Sequence, residues 1–192
     1  MKQLLILMIV SLLAGCSTSS DESAERLTEE AVTLTSPDSD NAELRRSLSL
    51  LNEAIDLDEE YVPAKKQRVR VLVRLGKLDE AAEEARSVAD LTGSPQDYFF
   101  QCMAGEASKR EYGGRDDCYR EAARRYELQL DKPATDVNYV LTLKLAGSNR
   151  FEKAADEFLG SLPAGASREL FAPLLRQSDR DQIINDIFFS SY

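Results

Sequence analysis

A chain of 192 residues with 34 acidic and 24 basic side chains carries a formal charge of −10, which works against binding nucleic acid, where Lys and Arg must replace counterions on the phosphates. The sequence contains no histidine, so it lacks the commonest general base, the usual zinc and haem ligand, and the familiar Ser-His-Asp and Cys-His catalysts. A hydrophobic content of 43% is enough to build a core, so the length accommodates one ordinary domain or one short repeat array.

The chain opens with a positive residue, Lys2, followed by an apolar run through Leu4, Val10, Leu12 and Leu13 and then by the small residues Ala14 and Gly15 before Cys16. That order of charge, apolar stretch and small residues is a secretory signal. The run falls far short of the ~20 residues a spanning helix needs. The stretch Leu13-Ala14-Gly15-Cys16 resembles a bacterial lipobox, and an ordinary secretory signal with an incidental cysteine is the competing reading. The resemblance implies removal of the signal peptide 1–15 and lipid attachment at Cys16. It also implies that Ser17, standing where Asp would retain the protein at the inner membrane, favours the outer membrane. One acyl chain binds a bilayer only marginally, so a stable anchor requires several. Loss of residues 1–15 removes Lys2 and no acid, leaving a charge of −11. The polar residues that follow are expected to form, with Cys16, a flexible lipidated tether over 16–22.

From there apolar residues recur every three or four positions, with Gly and Pro as punctuation. The pattern predicts helices over 23–35, 41–57, 63–75, 78–91, 95–112, 116–130, 135–145, 151–161, 167–177 and 179–189. The fold class is all-α.

Two segments repeat one another. "LGKLDEAAEEA" places Gly76 at a turn and the small Ala81 in the following helix, and "AGSNRFEKAADEF" does the same, with Phe151 matching Leu78, Ala154 matching Ala81 and Phe158 matching Ala85. Both resemble the tetratricopeptide repeat (TPR), a helix–turn–helix unit of about 34 residues. Between them "REYGGRDDCYREAARRYELQLDKP" keeps the helix, turn, helix and Pro order with an enlarged turn at 112–115, and "LNEAIDLDEE" resembles the end of an earlier unit. The resemblance implies a TPR-like α-solenoid of about four helix pairs over 23–163. A generic domain of helical hairpins is the alternative. Residues 164–192, with apolar Leu170, Leu174, Leu175, Ile183, Ile184, Ile187 and Phe188, are expected to cap the last open face of the stack.

In the repeat alignment Cys102 and Cys118 fall at the facing small positions of one helix pair, and the secretory signal implies an oxidising compartment. A Cys102–Cys118 disulfide is expected, with two buried thiols as the alternative. Lys66, Arg70 and Arg74 stand four residues apart on one helix face. The resemblance places Lys66 and Arg70 where some TPR proteins clamp a carboxylate, and a solvated face paired with Glu59, Glu60 or Asp79 is the other reading. On the same register Phe100, Tyr139 and Leu143 either anchor a partner at the concave surface or fill the core. The acid pairs Glu83-Glu84 and Asp116-Asp117 read as solvent faces and helix starts rather than catalytic dyads.

These readings imply a non-catalytic, lipid-anchored, periplasm-facing adaptor or scaffold at the bacterial outer membrane, holding a partner protein of an envelope or secretion assembly. The rival is a periplasmic immunity lipoprotein that neutralises a secreted antibacterial toxin through its acidic surface. No cofactor, metal, nucleic acid or small-molecule substrate is expected.

Overall fold

The computed structural model describes residues 17–109 and 115–189. The signal peptide expected over 1–15, Cys16 and most of the enlarged turn expected at 112–115 lie outside the described residues. Among those described there is no strand. The helices are α1 (Ser17–Thr33), α2 (Asn41–Leu57), α3 (Val62–Arg74), α4 (Leu78–Thr92), α5 (Pro95–Ala107), α6 (Arg115–Gln129), α7 (Val137–Leu145), α8 (Phe151–Ser161), α9 (Ala166–Arg176) and α10 (Arg180–Ile183). A 3-10 turn, Pro133–Thr135, precedes α7, and a π-helical stretch, Ile184–Phe189, follows α10. The chain folds as two compact units that divide after Val71, within α3.

In the first unit α1 and α2 form a hairpin. Ala24, Leu27 and Ala31 recur at helical spacing along α1, and Leu44, Leu51, Ala54 and Ile55 do so along α2, so each helix buries one stripe. Ser47 is fully buried because it is small enough for close helix approach and its hydroxyl donates to the Ala31 carbonyl at 2.9 Å. The start of α2 is fixed by a capping box in which Asp40 accepts from the amides of Ala42 and Glu43 while Glu43 accepts from the Asp40 amide. The first turns of α3 join this hairpin through Gln67, which donates to Thr35 Oγ1 at 2.8 Å, and Arg68, which donates to Asn52 Oδ1 at 3.2 Å.

The helix α1 begins at Ser17, so it runs through the segment expected to be a flexible tether. Residues 17–22 contain no Gly or Pro to break the backbone, and the apolar stripe that begins at Ala24 anchors the helix that extends back through them.

In the second unit successive helices from α4 to α8 each pack on the next, and the closing π-helical stretch returns to α5. The core is built from Ala81, Ala85 and Val88 of α4, Phe99 and Met103 of α5, Tyr119, Ala122 and Tyr126 of α6, and Val140, Leu141 and Leu143 of α7. The two segments that repeat in sequence share one turn geometry. Gly76, at φ 72°, donates to the Val73 carbonyl while Lys77 donates to Leu72; Gly147, at φ 61°, donates to Lys144 while Ser148 donates to Leu143. Both are Schellman turns, whose left-handed residue carries no penalty when it has no Cβ. Ala81 and Ala154 are buried after these turns, at 0% and 5% exposure.

Helix α7 starts at Val137 rather than 135, because Asp136 caps it by accepting from the Asn138 amide at 2.7 Å and the residues before it close the 3-10 turn. The C-terminal helices cover apolar surface with Leu175, Ile183, Ile184 and Phe188. Leu170, expected on the same face, is instead 69% exposed. Leu175 lies five residues on, off the 3.6-residue repeat from Leu170, so α9 turns a different side inward.

Candidate functional site

Lys66 and Arg70 are exposed on α3, whereas Arg74 is half-buried. The Arg70 guanidinium donates to Gln67 Oε1 at 3.4 Å, and each of the three cations makes a further interaction within the fold. Lys65, next to Lys66 in the chain, is buried at 8% exposure, so α3 mixes solvent-facing and buried cations.

The three residues read as pointing to a concave surface have different fates. Phe100 is half-buried against Phe99, with ring centroids 5.9 Å apart. Leu143 is 1% exposed and belongs to the core, as its apolar neighbours on α7 dictate. Tyr139 is 6% exposed, and its ring meets Tyr126 edge-on at 5.9 Å.

Tyr139 also lines a cleft of about 480 Å³ formed by the 3-10 turn, the start of α7 and the start of α8. The apolar part of the wall comes from the Tyr139 ring, Pro133, Ala134 and Ala154, and the charged part from Asp131, Lys132, Arg150, Lys153 and Glu157. The Tyr139 hydroxyl donates to Glu127 Oε1 at 3.0 Å, and Arg150 Nη1 meets the same oxygen at 2.6 Å. Glu127 therefore holds the phenol and the guanidinium in place at the cleft wall. None of this was visible as a linear motif, since the groups come from three elements.

Burial, and then the hydrogen bond to Glu127, push the Tyr139 phenol up to about 12. Burial, reinforced by Asp136 and Asp97, raises Tyr126 as well, and its hydroxyl has no hydrogen-bond partner among the described residues. The folded state keeps the Tyr139 proton to about 12 while the unfolded chain releases it near 10.0, so its contribution to stability is intact below pH 10.0 and is lost as pH rises through 12. In a near-ultraviolet absorbance titration of the folded protein Tyr126 and Tyr139 are expected to ionise above the value they have in the unfolded chain. A Tyr139→Phe variant removes one late proton, and an unchanged titration curve for that variant would contradict the assignment.

A second polar cluster lies where α10 meets α5 and α6. Arg180 forks onto Glu106, with Nε to Oε1 at 2.6 Å and Nη2 to Oε2 at 3.0 Å, while Nη1 donates to Asp116 Oδ1 at 3.1 Å and to the Leu145 carbonyl at 2.8 Å. The Tyr119 hydroxyl donates to Glu106 Oε2 at 2.9 Å. One turn away Cys102 and Cys118 are joined, with Cα atoms 5.8 Å apart, as the repeat alignment implied. Among the described residues no group of three or more His, Cys, Asp or Glu side chains is placed to hold a metal ion. Compared with protein-family models, with curated proteins and with solved structures, the chain matches none.

Proposed function

We propose that this protein is a non-catalytic, lipid-anchored adaptor of the bacterial envelope that holds a partner protein on its helical surface. The observation that carries the reading is α3, where Lys66 and Arg70 stand exposed at one-turn spacing in a chain of charge −10. Cations presented from a rigid helix suit carboxylates of a partner, because the helix restricts their backbone before binding. The lipobox-like Cys16 would tether such an adaptor to the membrane, and the Cys102–Cys118 disulfide suits an oxidising compartment. In this reading the helical hairpins form a TPR-like array facing the periplasm.

The test is capture from envelope extract with the mature chain, beside a Lys66→Glu, Arg70→Glu, Arg74→Glu variant whose helicity is checked by circular dichroism. A folded variant is expected to lose an envelope component that the unmodified chain retains in native salt. Equal capture by both would sink the α3 assignment. The acidic composition supports a second reading, an immunity protein that captures a basic toxin surface. Cell death on deletion, relieved by removing a neighbouring toxin gene, would select it.

A further inference from the structure

The geometry points to a site for a small organic carboxylate with a compact apolar body, seated in the cleft between the 3-10 turn Pro133–Thr135 and the amino end of α8. The inference goes beyond the partner-binding reading and does not depend on it. It concerns a bound ligand, not a substrate to be turned over.

The cleft volume of about 480 Å³ lies within the range of small-molecule sites, and such sites combine an apolar wall with a few placed polar groups. That combination is present. The Tyr139 ring, Pro133, Ala134 and Ala154 offer apolar surface, and three cations, Lys132, Arg150 and Lys153, face two carboxylates, Asp131 and Glu157. With Glu127, which holds Arg150, cations and carboxylates at the cleft are balanced, whereas the chain as a whole carries ten more acids than bases.

The cations are not equally committed. Arg150 is held by Glu127 at 2.6 Å, and this pair consumes the nearest outside carboxylate. Lys153 meets Glu157 only at 3.8 Å with its side chain 85% exposed, so it can turn to a ligand at small cost. Lys132 forms no ion pair among the described residues. The amino end of α8 adds to the same field: its N-cap residue is Arg150, no side chain caps the helix, and Glu152 of the first turn is drawn away to Arg176 at 2.8 Å. An anion at the Lys132–Lys153 rim therefore meets two adaptable ammonium groups and a helix amino end, while its apolar body covers the Tyr139 ring. Tyr139, held protonated by its surroundings, presents a neutral wall that does not repel the anion.

The probes are isocaproate, its neutral isostere isocaproamide, and acetate, titrated into the isotopically labelled full chain while two-dimensional amide spectra are recorded. Isocaproate is expected to bind with a dissociation constant of about 1 mM and to move the amides of residues 131–135, 139 and 150–157, with isocaproamide and acetate each about tenfold weaker. Raising the salt concentration should weaken isocaproate and leave isocaproamide unchanged. Two variants test the placement: Lys132→Glu with Lys153→Glu should remove the preference for the acid, and Thr135→Trp, at an exposed position on the rim, should block both probes while the remaining spectrum is retained. Equal affinity for acid and amide, shifts elsewhere in the chain, or no saturation by isocaproate would overturn the proposal. So would tighter binding of a tripeptide ending in leucine than of isocaproate, because the occupant would then be a chain end. None of these outcomes bears on capture through α3.

Discussion

Replacing Cys102 and Cys118 together by alanine, or reducing the native protein with dithiothreitol, is expected to cost about 3 kcal/mol of stability, as predicted for a bridge that closes a loop of roughly 15 residues. The sequence separation here is 16. For a unit of this size that loss corresponds to a fall of roughly 10 °C in the melting midpoint. The effect arises mainly in the unfolded chain, where the bridge removes conformations that α5 and α6 would otherwise have to give up on folding. Alanine is the appropriate replacement because Cys102 is 4% exposed and a hydroxyl there would add a desolvation cost of its own.

The loss should also be local. Both cysteines belong to the unit that begins at Leu72, so amide exchange should accelerate there and remain unchanged in the α1–α2 hairpin. Identical midpoints for oxidised and reduced protein would refute the prediction. Uniform acceleration across both units would refute its locality.

The positions of the helices were legible because their ends are marked chemically. Gly76, Gly93 and Gly147 take positive φ at helix carboxyl ends, and Pro95 occupies the first turn of α5, so breaks in the apolar period coincide with residues that stop or start a helix. The disulfide was legible through the internal repeat, which set Cys102 and Cys118 opposite one another. The extension of α1 back to Ser17 was not, since a run of Ser, Thr and Asp reads as a linker by composition and becomes helical only with the Ala24–Leu27–Ala31 stripe behind it. The cleft was not legible either. Its wall depends on Glu127 meeting Tyr139 and Arg150, residues from the ends of different helices, and periodicity carries no information about such encounters. For Leu143 the sequence left a partner surface and the core both open, because helical register alone cannot tell an exposed leucine from a core one, and its burial places it in the core.

Arg180→Ala is expected to cost about 3 kcal/mol, the lower end of the range for breaking a buried ion pair by removing one partner. The lower end applies because the Arg180 side chain is 31% exposed and water offsets part of its loss, whereas Glu106 is only 10% exposed and is left without this cation. Arg180→Lys should recover only part of the loss, since an ammonium cannot reproduce the fork onto both Glu106 oxygens together with the Asp116 and Leu145 contacts. Arg180→Met combined with Glu106→Leu should be more stable than Arg180→Ala alone, because no buried charge is stranded. The first region to open in Arg180→Ala should be 180–189, seen as fast amide exchange around Ile183 and Phe188, which this contact holds against the body of the unit. Coupling to the disulfide follows from position. Cys102 precedes Glu106 by one helical turn and Cys118 precedes Tyr119 by one residue, so the bridge fixes the backbones that present both groups to Arg180. The two perturbations should therefore combine to less than the sum of their separate costs, since once the bridge is lost the Glu106–Tyr119 pair no longer offers Arg180 a fixed target. Strict additivity in the double-mutant cycle would show instead that the C-terminal segment is held independently of the bridge.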